Sequence, residues 1–129
     1  MKILVLSCST GGGHNACGHY IEKEFKENHV ECDFVDYFDI LGPNARELSE
    51  KIYLDSTKNN GSIFKLAYRL GEAYSKTGIA SPVYGLNKLG KNKLYKYIIK
   101  NDYDLVISTH LFPAMAVTTL KKDGKELKL

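Results

Sequence analysis

The sequence predicts an α/β fold: a parallel sheet in three layers, with a long helical insertion. Three observations carry this. The opening "KILVLS" is an apolar, β-favouring run that passes through a glycine-rich turn into helix-forming sequence and then into a second apolar run. Later, "DLVIS" repeats the pattern of a strand buried on both faces and is again followed by helix-forming sequence. Between these two regions the chain shows helical periodicity and no strand pattern.

In chain order, Ile3 to Leu6 is the first strand. His14 to Glu27 is a helix, with Ala16, Cys17, Tyr20, Ile21 and Phe25 at helical spacing, and Val30 to Val35 is the second strand. Strand, helix and strand over this span make one βαβ unit, with the right-handed crossover such units adopt. Ala45 to Ser56 places Leu48 and Ile52 on one side of a helix. Ile63, Leu66, Ala67, Leu70 and Tyr74 recur at intervals of three and four, the mark of an amphipathic helix. Gly78 to Pro82 breaks the pattern, and Leu86, Leu89, Leu94, Tyr97 and Ile98 outline a further helix. Asp104 to Ser108 is the third strand and Pro113 to Leu120 the helix after it. Three strands with this many helices make a lopsided sheet, so residues 1–129 are expected to be the first domain of a longer protein.

The 129 residues suffice for one domain with a real core, and a formal net charge of +3 does not call for nucleic acid. Cys8, Cys17 and Cys32 are odd in number and fit no closed disulfide framework, which points to a reducing cytoplasm. The first apolar run ends at Ser7, too soon for a signal peptide, and no apolar stretch approaches a membrane span.

The segment "SCSTGGGH" lies where many α/β proteins hold a phosphate, because a helix N-terminus offers unpaired N–H groups and glycine lets a ligand approach backbone. Gly11, Gly13 and Ala16 match G-x-G-x-x-[G/A], with Asp36 after the second strand, but the glycines come four residues later than a dinucleotide fold requires. A P-loop needs Gly-Lys-Ser/Thr, and a cysteine phosphatase needs Arg where His14 stands. A hydroxyl-rich flavin phosphate loop remains open, although the helical middle does not suit that fold. His14 and Cys17 share a helix face while His19 points elsewhere, so no metal site is expected. Asp33, Asp36 and Asp39 recur every third residue and read as a solvated loop edge rather than a cation or ribose site.

The pieces "LSCSTGGGHNACG", "VECDFVDYFDIL" and "DLVISTHLFPAMA", in this order, make the sequence similar to the N-terminal domain of the diacylglycerol glycosyltransferases. These are plant monogalactosyldiacylglycerol synthase and the bacterial processive diacylglycerol glucosyltransferases. More distantly it resembles the transferase that adds N-acetylglucosamine to the peptidoglycan lipid precursor. The similarity extends over nearly the whole chain. It implies a Rossmann-like domain, the N-terminal half of a GT-B architecture, facing a C-terminal nucleotide-sugar domain that this chain does not include. It implies inverting transfer of a hexose from a UDP-sugar to diacylglycerol, with no cofactor, at the inner face of the cell membrane. The family's proposed base maps onto His14; a helix N-terminus favours the unprotonated, accepting imidazole there. Gly11, Gly12, Gly13, Asn15, Thr109, His110 and Pro113 then fall on the cleft. His110 either shapes the cleft or is a structural histidine at a strand end. The family often has Pro where Leu111 stands, and Gly18 inside the first helix is mildly destabilising.

"YGLNKLGKNKLYKYIIK" borders a Leu/Tyr/Ile stripe with lysines, the composition of a helix drawn to anionic lipid, with Lys88, Lys91, Tyr95 and Lys96 as contact candidates. "IFKLAYRLGEAYSK" is a second such stretch; for either one alone an ordinary helix packed on the core is the favoured reading, and the resemblance raises the membrane role for the region as a whole. Two other functions stay open: a flavodoxin-like or nucleotide-phosphate-binding module, and a stand-alone peripheral membrane protein. Neither sugar, processivity nor oligomeric state is written in these residues.

Overall fold

The computed structural model describes residues 1–9, 12–47 and 82–125, with the backbone alone for 82–89. In chain order these form β1 (Lys2–Ser7), α1 (Gly12–Glu27), β2 (Glu31–Asp36), α2 (Tyr37–Leu41), α3 (Pro82–Lys100), β3 (Leu105–Ser108) and α4 (Leu111–Lys122). The expected helix at Ala45–Ser56 is described only as far as residue 47, where 43–47 are helical. The one at Ile63–Tyr74 lies outside the described residues. α3 and α4 start before the apolar positions that announced them, because a proline in a first turn gives up an N–H that has no helical partner there. Pro82 opens α3, and Pro113 is the third residue of α4.

The sheet is parallel with order β2-β1-β3. Ile3 pairs with Cys32 on one side and Leu105 on the other. Ile3, Leu4, Val5 and Leu6 are each fully buried, which explains the unbroken apolar run of the central strand. Each such side chain stabilises the fold by about 1.5–3 kcal/mol. Ile3 and Val5 face α1, meeting Ile21 and Phe25. Leu4 and Leu6 face the opposite layer, with Tyr37 and Phe38 of α2, Leu94 and Ile98 of α3, and Ala116 and Leu120 of α4. Helices on both faces of a parallel sheet make the domain Rossmann-like.

The inner face of α1 differs from the expected one. Ala16, Cys17 and Tyr20 are exposed, and the helix rests on Gly18, Ile21 and Phe25. Gly18 decides this, because a Cβ there would stand 2.4 Å from the Phe34 ring. The glycine that looked like a helix defect is the point of closest approach to β2. Gly18→Ala is therefore expected to destabilise by about 1–3 kcal/mol, despite alanine's helix propensity, as a lowered midpoint in urea unfolding.

Candidate active site

The candidate residues gather at the C-terminal ends of the three strands, where open α/β sheets bind ligands. Two internal anchors hold Ser7 and Ser9 at the end of β1. Ser7 Oγ donates to Asn15 Oδ1 at 2.6 Å, tying the end of the strand to the first turn of α1. One residue pair further out, the Ser9 N–H donates to Asp36 Oδ2 at 3.1 Å, and the Ser9 hydroxyl donates to the same oxygen. The two serine hydroxyls that suggested a flavin phosphate loop are thus engaged with the protein itself. Asn15 serves this anchoring, and Gly11 lies outside the described residues. Gly12 and Gly13 are exposed, and a Cβ on either would meet nothing within 4 Å, so packing does not demand glycine there.

Asp36 is the hub that the sequence did not reveal. Only 7% exposed, it caps α2 through Oδ1, which accepts the Phe38 N–H at 2.9 Å, while Oδ2 also takes Arg46 Nη2 at 3.4 Å. The three aspartates expected on a loop edge have separate roles: Asp33 lies within β2 and accepts the Tyr103 hydroxyl at 2.7 Å, Asp36 ends the strand, and Asp39 lies in α2 and pairs with Arg46.

His14 is held by a reciprocal pair of bonds across the sheet. Its Nδ1 donates to the Thr109 carbonyl at 2.7 Å, and Thr109 Oγ1 donates to the His14 carbonyl at 3.1 Å. The Thr109 N–H in turn donates to Leu6 O at 3.0 Å, carrying the β1–β3 ladder one residue beyond β3. The His110 ring stands nearly perpendicular to that of His14, with centroids 4.7 Å apart. Phe112 packs on its other side, 5.0 Å between centroids. His110 also caps α4, its Nδ1 accepting the Phe112 N–H at 3.2 Å. Burial, and then neighbouring His14, push the His110 imidazole below its ordinary value, with the Asp36 carboxylate opposing them.

The structure brings His14, Thr109 and His110 together and sets Pro113 apart. Pro113 is fully buried in the core, a consequence of α4 turning inward immediately after His110. Leu111, at the head of α4, is 65% exposed beside the histidines. Cys8, directly after β1, is a core residue whose thiol is pushed up to about 12 by burial and then by Asp36, so it stays protonated and is no nucleophile. His19 lies against Phe34 and Glu22, on the flank of α1 away from the His14 contact with Thr109.

Along α3, Lys91 is largely covered and ion-paired with Asp123, which removes it from the expected membrane contacts. Tyr95 is half-buried with Lys125 Nζ 5.2 Å from its ring, and the Lys88 side chain lies outside the described residues. Beyond Tyr95, α3 exposes Lys96, Ile99 and Lys100. Among the described residues, no helix is long and apolar enough to cross a membrane.

The family described as monogalactosyldiacylglycerol (MGDG) synthase matches residues 14–129. The processive diacylglycerol beta-glucosyltransferase of Bacillus mycoides (strain KBAB4) is 29% identical over 122 residues, which cover 94% of this chain and 30% of that protein. The proteins of the same name from Bacillus cytotoxicus and Bacillus thuringiensis (strain Al Hakam) are 29% and 28% identical over the same span. The chain therefore spans about 30% of the length of these relatives. No solved structure matches.

Proposed function

The chain belongs to the monogalactosyldiacylglycerol synthase family, and from that premise we propose that it is the acceptor-side domain of an inverting GT-B glycosyltransferase. The substrates are a UDP-hexose and diacylglycerol. The observation that carries the proposal is the bond from His14 Nδ1 to the Thr109 carbonyl. A carbonyl can only accept, so Nδ1 holds the proton, and neutral His14 keeps its lone pair on Nε2. That nitrogen is the base. As the acceptor oxygen bonds to the anomeric carbon and the bond from that carbon to UDP breaks, the hydroxyl proton passes to His14 Nε2 and UDP leaves.

The backbone at Gly12 and Gly13, open on the outer side, gives the sugar and phosphates close access to N–H groups. The matched residues are about 30% of the relatives' length, and in this reading the nucleotide-sugar pocket lies outside them, so the chain alone is expected to be inactive. Lys96, Ile99 and Lys100 support a peripheral contact with an anionic inner-membrane surface.

The test is glucosyl transfer from UDP-glucose to diacylglycerol in mixed micelles. It uses the chain by itself and a chimaera in which the chain replaces the matching segment of the Bacillus mycoides enzyme. Glycolipid from the chimaera and none from the chain alone is the expected result. A folded chimaera that binds UDP-glucose and makes no glycolipid would overturn the proposal.

A further inference from the structure

His14 sits where a helix is held least. It is the third residue of α1, and the first turn of a helix has N–H groups with no partner in the helix. Gly12 and Gly13 come just before it, and a Cβ on either would meet nothing within 4 Å, so packing does not hold that side. Among the described residues, two tethers do. Ser7, at the end of β1, holds Asn15 through the hydroxyl bond of 2.6 Å. Thr109, the residue after β3, holds His14.

Thr109 does so from both ends. Its carbonyl accepts the ring Nδ1–H at 2.7 Å, and its hydroxyl donates back to the His14 carbonyl at 3.1 Å. The same hydroxyl oxygen lies 3.4 Å from Leu6 O, which already accepts the Thr109 N–H at 3.0 Å, so the shorter contact to His14 claims its single proton. A carbonyl has two lone pairs, and His14 O can take this bond beside its helical one. One bond alone would let the ring swing about the carbonyl as the turn shifts. Two bonds to one residue fix ring and main chain together. The N–H, carbonyl and hydroxyl of Thr109 are thus all engaged with the protein, which sets this residue apart from a substrate contact in the cleft.

We propose that Thr109 is the positioning residue for the base: its hydroxyl holds the His14 main chain so that its carbonyl can hold the ring with the proton on Nδ1. This rests on the function proposed above and adds to it the side chain through which β3 governs His14. Serine supplies the same hydroxyl, whereas valine has the shape of threonine without it.

The experiment uses the 129-residue chain with ring-¹⁵N histidine, as wild type, Thr109→Val and Thr109→Ser. Long-range ¹H–¹⁵N spectra are recorded at about pH 8.5, above the ordinary range of imidazoles. His14 is expected to be protonated at Nδ1 in wild type and in Thr109→Ser, and to show both tautomers in Thr109→Val. The Nδ1 tautomer alone in Thr109→Val, or both tautomers in wild type, overturns the proposal whatever the protein's function. Thr109→Ala, which puts no atom in place of the hydroxyl, is expected to match Thr109→Val and takes its place if valine prevents folding.

In the chimaera, Thr109→Val is expected to lower kcat for glucosyl transfer about 10-fold, the worth of one hydrogen bond, with KM for UDP-glucose and for diacylglycerol within about 2-fold of wild type. Thr109→Ser is expected to recover kcat to within about 3-fold of wild type. A raised KM with kcat unchanged would make Thr109 a substrate contact and overturn the positioning role, as would a serine variant no faster than valine. If the tautomers follow the hydroxyl while the unsubstituted chimaera transfers no sugar, the positioning of His14 stands and the transferase assignment falls.

Discussion

His14→Ala is expected to lower glucosyl transfer by the chimaera by about 10²–10⁴-fold, the usual worth of a general base. The loss should fall on kcat, because in the proposed reaction His14 Nε2 acts on the proton in the transition state rather than on the bulk of the lipid. The fold should survive. His14 is exposed, and among the described residues its side chain makes one hydrogen bond, to a carbonyl, at a cost of about 0.5–1.5 kcal/mol when lost. His14→Asn sharpens the comparison, since its amide nitrogen stands where Nδ1 does and can still donate to the Thr109 carbonyl but cannot take up a proton. It should be as inactive as alanine and nearly as stable as wild type. Steady-state transfer rates and urea unfolding of the three proteins check both statements, and turnover near wild type in either variant removes His14 as the base.

A second large effect is expected at Asp36, this time on stability. Asp36→Ala should cost about 2–4 kcal/mol, because it removes the cap of α2 and leaves the Ser9 N–H and hydroxyl without their acceptor. Asp36→Asn divides the two roles. Asparagine caps a helix as well as aspartate does, but its amide NH2 would then face the Ser9 N–H, donor against donor. We therefore expect Asn to recover the cap and lose the turn, with a cost of about 1–3 kcal/mol. In the chimaera, transfer by Asp36→Asn should fall with His14 itself intact, since Ser9, just past the end of β1, stands five positions before His14 in the chain. Urea midpoints and transfer rates measured together decide this. A variant as stable and active as wild type would mean that Ser9 holds the turn without Asp36.

The strands, and the place of His14 in the first turn of α1, were legible because they rest on local signals: unbroken apolar runs, a glycine cluster between strand and helix, and one imidazole at the helix start. The inner face of α1 was legible only in part: Ile21 and Phe25 pack on the core as their spacing announced. Apolar spacing favoured Ala16, Cys17 and Tyr20, yet the contact is made by Gly18, whose role depends on Phe34 in another element. Pro113 misled for a related reason: it marked the helix correctly, but a proline in a first turn can pack inward as readily as it can face a cleft. Lys91 looked solvent-directed until Asp123, far along the chain, proved to be its partner. Asp36 had a visible place after the second strand but no visible partner, because Ser9 and Arg46 reach it only once the strands are paired. Residue types and spacings name the chemistry available; which group meets which is set by the sheet.

The order β2-β1-β3 also sets a sequence of events in folding. β1 and β2 pair within the first 36 residues of the chain, whereas β3 must close a loop of about a hundred residues to reach β1. Contacts so far apart in sequence come at a high entropic cost and form slowly. The bonds between His14 and Thr109 span 95 positions and belong to that late step. A chain with only its first βαβ unit assembled would carry the glycine turn and the histidine, but nothing would yet choose which ring nitrogen bears the proton. The His14 ring is thus fixed only when the last described strand has docked, so acquisition of the His14 tautomer is a direct kinetic probe of when this domain has finished folding.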